Sequence, residues 1–332
     1  MTVGPVTSPT ETQPVEEPPA VPGVAIEGRS LGRIAWIRLK RDKVAMTGGV
    51  VVILLLLVAV LAPVLTKLLG HPPNEFHNDK IDPNLGGLPI GSFGGMSSDF
   101  LFGVEPGSGR DVFSRILYGA QVSLMVGFGS ALLSVVIGSV LGVVSGYFGG
   151  WVDTVISRTM DLLLAFPQLL FALALVSVMP DKVFGMSAYW SRLLVLIFVI
   201  GFFGWPYIGR IVRGQTLTVR EREFIEASRS IGGRPMYIVF REILPNLVAP
   251  ILVYATLIIP TNILNEAALS FLGVGMKPPT PSWGAMLSDA IHFYQYDPTY
   301  MVVPGLAIFI TVLAFNLFGD GLRDALDPRG SR

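Results

Sequence analysis

The sequence predicts an all-α polytopic membrane protein with six transmembrane helices. Hydrophobic residues make up 51% of the chain and charged residues only 14%, whereas a soluble domain carries about 25% charged residues. Six separate apolar runs are each long enough to cross a bilayer, which takes about 20 residues per helix. Lys and Arg are concentrated in the stretches on one side of these runs, as the positive-inside rule requires.

The composition argues against several kinds of functional site. The chain contains no Cys, which rules out disulfides and thiolate ligands, and its formal net charge of zero gives no basic field for nucleic acid. None of its three His has the spacing of a metal ligand. Walker-type nucleotide loops and hydrolase motifs are missing from the sequence. We therefore expect no catalytic residue, metal or cofactor on this chain, and any nucleotide must bind to another chain.

The N-terminal part contains a polar tail, a basic segment and the first span. Residues 1–28 are rich in Pro and Glu, and we expect a disordered tail because such a stretch cannot bury enough apolar surface. Six basic residues follow in 29–43, and an apolar run occupies 44–65. This run predicts the first transmembrane helix, and its basic flank is expected to remain in the cytoplasm.

A long extracytoplasmic stretch, 66–121, follows the first span. Pairs of Gly and Pro predict turns along most of it. Its end, 111–117, alternates apolar and polar residues at helical spacing, which predicts a short interfacial helix before the second span.

The remaining spans form a predicted core over 122–318. Gly and Pro inside these runs are tolerated in membrane helices and allow close helix approach. Alternation of sides then places both termini, the segment 213–246 and the tail 319–332 in the cytoplasm. The predicted spans of this core are 122–147, 155–178, 193–212, 247–271 and 301–318.

The cytoplasmic segment 213–246 has a pattern of its own. Helix signals cover 219–231, the pair Gly232-Gly233 ends that helix, and Pro235 can open a second helix that ends at Pro245. The result is a hairpin of two helices with an apolar face and an Arg-rich face. One interpretation is an amphipathic surface hairpin beside anionic lipid.

This hairpin resembles the E-A-A-x-x-x-G…L-P loop of ABC importer permeases, with Ser228 in place of the commoner second Ala. In that family the loop is the coupling helix that docks on the ATPase subunit. The resemblance implies an ATPase contact for Glu226, Ala227, Ser228, Arg229, Gly232, Leu244 and Pro245.

Three further strings resemble the C-type subunit of the dipeptide/oligopeptide/nickel permeases. The resemblance covers about Arg33 to Arg329. One departure lies in the outer loop, where the family commonly has G-T-D before G-R-D but this chain has Gly103-Val104-Glu105 and one extra residue. The matching strings are GRDVFSR at 109–115, DLLLAFP at 161–167, and EAALSFLG at 266–273 with PPTPSWGAML at 278–287.

The resemblance implies a type I ABC importer fold in the bacterial cytoplasmic (inner) membrane and half of a translocation path for di- or oligopeptides. Its implied partners are a homologous second permease, two ABC ATPases that carry ATP and Mg, an extracytoplasmic substrate-binding protein, and membrane lipid. Alternative cargoes are nickel chelates, glutathione-like peptides and oligosaccharides. The alternative class, an ion-coupled secondary transporter, normally carries ionisable groups near mid-bilayer, and few are present here.

Charged groups at the start of the third span predict an ion pair. Asp153, Arg158 and Asp161 fall close together on a helix. Charges in a membrane are costly and tend to pair, so we expect a structural Asp–Arg pair, with a role in gating as the alternative.

Polar residues near the outer end of the fifth span must face protein or water. Asn262 and Glu266 are therefore expected to line the translocation path, or to bond to the partner permease or the following loop. Trp283, in the outer loop, is expected either to anchor the chain at the membrane interface or to contact the binding protein.

Overall fold

The computed structural model describes residues 31–180, 182 and 185–326. Five described helices are long and apolar enough to cross a membrane, and a bent helix pair makes a sixth crossing when it is taken as one span. The predicted all-α membrane fold is thereby confirmed. The predicted tail 1–28 and the last residues, 327–332, lie outside the described part.

The first span follows directly after a short basic helix. Helix α1 covers Leu31–Arg41 and α2 covers Lys43–Leu69. Asp42 separates them, and its carboxylate accepts hydrogen bonds from the backbone N–H groups of Val44 and Ala45, at 2.9 and 3.0 Å. This N-cap fixes the start of α2, which extends four residues beyond the predicted end at 65.

The long stretch after α2 contains little regular structure. Strand β1 (Ile81–Asp82) is preceded by one short 3₁₀ turn, Asn78–Lys80, and followed by another, Pro83–Leu85. Strand β1 pairs antiparallel with β2 (Leu88–Pro89), with Ile81 opposite Pro89.

The predicted interfacial helix at 111–117 is wrong as a separate element. Helix α3 runs without a break over Val112–Phe148, so this segment is the first part of the second span. The Asp111 side chain caps α3 by accepting from the N–H groups of Phe113 and Ser114. Gly119 lies between 117 and the apolar run, but a single Gly inside a helical pattern is tolerated, so the helix continues through it.

The third span is broken. Helix α4 covers Gly150–Ala165 and α5 covers Gln168–Val178, and their axes differ by 84°. Pro167 disfavours helical backbone in the residue before it, and Phe166 is extended, with φ −83° and ψ 138°. The single continuous span predicted at 155–178 is therefore corrected to a bent pair.

Helix α6 (Ala188–Arg220) is the most enclosed of the long helices and packs along α3. A stripe of small residues allows this approach. A Cβ built on Gly142 of α3 would lie only 2.7 Å from the carbonyl oxygen of Gly209 on α6. Gly138 and Gly146, four residues away on either side, approach α6 as closely, which is the small-residue packing typical of membrane helices.

The C-terminal helices complete the bundle. Helices α8 (Pro235–Tyr237) and α9 (Leu244–Phe271) are joined by a π-helical turn at Ile238–Ile243. Helix α10 (Trp283–Ala290), in the loop after α9, was not predicted. Helix α11 (Thr299–Leu326) extends through most of the predicted tail 319–332 and packs against α2 and α9.

Candidate functional site

The two helices of the hairpin between α6 and α9 differ in length from the prediction: the first is shorter and the second is longer. Helix α6 continues to Arg220, and the extended backbone of Arg222 separates it from α7, which covers Glu223–Ser230. The predicted helix 219–231 is thus two helices. Gly232 forms the turn after α7 with φ +83°, a conformation that favours Gly.

The second helix of the hairpin was predicted to end at Pro245, but it does not end there. It continues as one helical segment, Pro235–Phe271, into the membrane. A proline inside a helix leaves a carbonyl without its usual partner. Here the π-helical turn before it changes the bonding, and the Leu244 N–H donates to the carbonyl of Val239, five residues earlier.

Two contacts fix the shape of the hairpin from within. Ser228 is buried, and its hydroxyl donates to the carboxylate of Glu242 at 2.6 Å. The Gly233 N–H donates to the carbonyl of Ser228 at 2.9 Å. Ser228, the departure from the family string, therefore connects α7 to the helix that enters the membrane. Sequence reasoning missed Glu242, because the two residues that bond lie on opposite sides of the turn.

Large apolar side chains project from the outside of this hairpin. Glu226, Ala227, Arg229, Gly232 and Pro245 are exposed as well, while Leu244 is half-buried. The Arg229 guanidinium lies 5.5 Å from the ring centre of Tyr147 at the end of α3. Contiguous exposed apolar surface marks a contact site for another molecule. The apolar side chains are Phe224, Ile231, Met236, Tyr237 and Phe240, which are 46–87% exposed; we call them the hairpin patch.

The charged residues of α4 pair mainly with α6. Asp161 lies 2.7 Å from the guanidinium of Arg210 and 3.8 Å from that of Arg158. The predicted Arg158–Asp161 pair is thus present but is the longer of two, between half-exposed or exposed groups. Asp153 accepts two hydrogen bonds from the guanidinium of Arg213, at 2.5 and 2.7 Å. Together these pairs fasten α4 to α6.

Asn262 and Glu266 are enclosed within the chain. Glu266 is fully buried, and its two oxygens accept hydrogen bonds from the hydroxyls of Ser123 and Ser270, each at 2.7 Å. The bond to Ser123 joins α9 to α3. The amide nitrogen of Asn262 is buried and has no hydrogen-bond partner among the described residues. Neither side chain faces an open path in this conformation.

Trp283 is 1% exposed. Its indole N–H donates to the carbonyl of Ile116 at 3.1 Å, and its ring lies against Gly119. The predictions of an interface anchor and of a binding-protein contact are both corrected, because the ring has no free surface. Trp283 instead fastens α10 to α3.

A buried charge network that sequence reasoning missed lies at the end of the bundle opposite the hairpin. Glu105, 2% exposed, accepts hydrogen bonds from Arg110 and Tyr300 and lies 3.7 Å from Arg115. Burial opposes ionisation of this carboxyl, but the Arg115 charge and the hydrogen bonds outweigh it and hold the pKa of Glu105 below its usual value. The network joins the segment before α3 to α3 and α11.

The acidic residue of this network stands where the chain departs from the family string, in Gly103-Val104-Glu105. The signal that could have revealed it is an acidic side chain next to a Gly-Arg-Asp string. Among the described residues, no group of three or more His, Asp or Glu side chains could hold a metal ion.

Comparison with known families and proteins agrees with this architecture. The profile of the family described as "Binding-protein-dependent transport system inner membrane component" matches residues 138–332. That of the "N-terminal TM domain of oligopeptide transport permease C" matches residues 30–86.

Two curated relatives match nearly the whole chain. The dipeptide transport system permease protein DppC of Alkalihalophilus pseudofirmus is 40% identical over 297 residues, which is 90% of each chain. The glutathione transport system permease protein GsiD of Escherichia coli is 43% identical over 294 residues, which is 89% of each chain.

A solved structure of the MetNI methionine ABC transporter, in an inward-facing conformation, has the same fold. The TM-score is 0.51 at 21% identity, and the match covers 64% of this chain and 96% of that chain. Taken with the family matches and the full-length relatives, the bundle and its hairpin place the chain in the family of binding-protein-dependent transport system inner membrane components, the permeases of ABC importers.

Proposed function

We propose that this permease forms half of the translocation path of an ATP-driven importer of di- or oligopeptides in the bacterial cytoplasmic membrane. A homologous second permease would complete the path, and a substrate-binding protein would deliver the cargo outside. Two ABC ATPases, which carry ATP and Mg, would dock on the cytoplasmic face. The basic residues of α1 and of the hairpin support a cytoplasmic position for both.

The observation that carries this proposal is the hairpin patch. Ile231 is 87% exposed and Met236 is 63% exposed, although Ile225 and Ile238 of the same hairpin are buried. A chain that worked alone would expose these side chains to water at a cost of about 25 cal/mol per Å² of apolar surface. An ATPase groove that covers the patch would remove this cost and grip the hairpin.

The hairpin is suited to transmit motion because its shape is fixed and both of its ends continue into membrane helices. The Ser228–Glu242 hydrogen bond resists separation of α7 from the second helix. That helix continues over Pro235–Phe271, so a displacement at its cytoplasmic end is carried into the membrane. Rigid elements that pivot between two arrangements are the usual means of such coupling.

Within the membrane we expect α3, α6 and α9 to move together. The glycine stripe holds α3 against α6, and the Glu266–Ser123 hydrogen bond holds α9 against α3. The bent pair α4 and α5 is attached through its ion pairs to α6. Asn262, whose amide nitrogen lacks a partner among the described residues, is the predicted path residue available for a new bond when these helices reorient.

The cargo proposal rests on the relatives' names, and glutathione is the second candidate because the relative at 43% identity is named for its transport. The test is the ATPase rate of the reconstituted complex with its binding protein, measured with a dipeptide mixture, glutathione or a nickel chelate. We expect peptides to stimulate the rate. Stimulation by glutathione alone selects the second candidate, and stimulation by the chelate alone overturns both.

A further inference from the structure

Helix α1 forms a second exposed surface, separate from the hairpin patch. Its Ala35 and Leu39 side chains are buried in a small apolar cluster with Ala45 of α2 and Ala325 of α11. One side of α1 is therefore attached to the first and the last spans of the chain. The opposite side has no protein cover among the described residues.

The uncovered side of α1 is basic and carries a tryptophan. Arg33, Lys40 and Arg41 are exposed, and none of the three forms an ion pair with a described acidic residue. Trp36 is 52% exposed, and the Lys40 ammonium lies 5.1 Å from its ring centre. The surface thus combines positive charge with one large amphipathic ring.

The position of α1 along the chain fixes its depth relative to the membrane. Only Asp42 separates it from α2, which begins at Lys43 and already exposes the apolar side chain of Val44. Helix α1 is therefore at the level where the span enters the bilayer. Tryptophan favours this interfacial depth, and a basic amphipathic helix there is attracted to anionic lipid.

We propose that α1 binds the anionic phospholipid headgroups of the cytoplasmic leaflet. Arg33, Lys40 and Arg41 contact the lipid phosphates, and Trp36 lies among the headgroups and upper acyl chains. Because the other side of α1 packs on α2 and α11, the bound lipid holds the junction of these two spans in place. This inference rests on the cytoplasmic position of α1 in the proposed function.

The experiment measures which lipid surrounds Trp36 in the assembled transporter. The complex is reconstituted in nanodiscs of phosphatidylglycerol and phosphatidylcholine, with bromines on the acyl chains of one lipid or of the other, at equal mole fraction. The emission lost in Trp36→Phe isolates the Trp36 signal. We expect brominated phosphatidylglycerol to quench this signal more strongly than brominated phosphatidylcholine does.

Charge variants separate this interpretation from simple proximity to the bilayer. Each basic residue near an anionic surface contributes about fivefold in affinity, so Arg33→Gln with Arg41→Gln should reduce the preference for the anionic lipid by up to about 30-fold. The matched control, Arg33→Lys with Arg41→Lys, keeps both charges and should keep the preference.

Three results would overturn the inference, the first two of them concerning the lipid preference. One is equal quenching by the two lipids, and another is a preference that the Gln variant retains. The third is a Trp36 signal that neither lipid quenches and that changes when the ATPase subunits are removed, which would make α1 a protein contact. Peptide-stimulated ATPase activity in the same nanodiscs reports on the proposed function separately.

Discussion

Because α3 and α6 approach closely at Gly142, the loss of stability caused by adding a methyl group there can be predicted. A Cβ at this position would lie 2.7 Å from the carbonyl oxygen of Gly209 and 2.9 Å from the Cβ of Val212. Ordinary contacts begin near 3.4 Å, so Gly142→Ala must push the α6 backbone away by several tenths of an ångström. Overpacking of this kind costs about 1–3 kcal/mol, and the better helix propensity of Ala returns up to about 1 kcal/mol.

With the full propensity gain subtracted, we expect Gly142→Ala to lower the stability by up to about 2 kcal/mol and to lower the melting temperature accordingly. The matched control is Gly214→Ala, at an exposed position of α6 where nothing lies within 4 Å of the added Cβ; it should leave the melting temperature unchanged or raise it. Because the chain has no Cys, thiol-reactive dyes cannot follow unfolding. Size-exclusion detection of a fluorescent fusion after heating is suitable. Equal melting of Gly142→Ala and Gly214→Ala would refute the close packing of α3 on α6.

Three other variants test separate parts of the structure. Glu105→Gln leaves the Arg115 charge buried without its partner, which costs about 3–5 kcal/mol. Folding lowers the pKa of Glu105 from 4.5. The ionised carboxylate therefore stabilises the fold above pH 4.5, and this stabilisation is lost as the pH falls below that value. Melting curves at pH 7, 5 and 4 should show the difference in melting temperature between wild type and Glu105→Gln narrowing only at the acid end. Trp283→Ala removes a buried ring and should cost about 3–5 kcal/mol, whereas Trp151→Ala, at a 78% exposed ring, should change the melting temperature little. Gly232→Val strains the φ +83° turn and should reduce ATPase retention on affinity columns, while Gly232→Asn, which tolerates this conformation better, should retain most of it.

Local sequence was sufficient to predict the apolar segments and the turn of the hairpin, but it did not predict the bend within the third segment. Hydropathy depends on the composition of each run, and Gly232 signals the end of a helix without reference to the rest of the chain. Helix ends were placed less well, because polar residues continue a helix beyond the membrane when nothing breaks it. Helix α6 continues to Arg220 and α11 to Leu326 for this reason.

Contacts between distant parts of the chain could not be predicted. The partners of Asp161 and Asp153 lie on α6, 49 and 60 residues away, so the nearest basic residue, Arg158, was the natural choice. Tyr300 bonds to Glu105 across 195 residues. Trp283 was expected at a surface because it lies in a predicted outer loop. Gly119 has no side chain, however, and the Trp283 ring packs against it within the bundle.

Site-specific crosslinking can detect a contact between the hairpin patch and the ATPase. A single Cys introduced by Ile231→Cys, in a chain that has no other Cys, is labelled with a photo-crosslinker in the assembled transporter. The control is Val178→Cys, which is also highly exposed, at 78%, but lies at the other end of the bundle. We predict a crosslink from Ile231→Cys to the ATPase subunit that Glu226→Lys weakens, and none from Val178→Cys. If active ATPase is present and Ile231→Cys gives no such crosslink, or no more than Val178→Cys gives, the coupling role of the hairpin is contradicted.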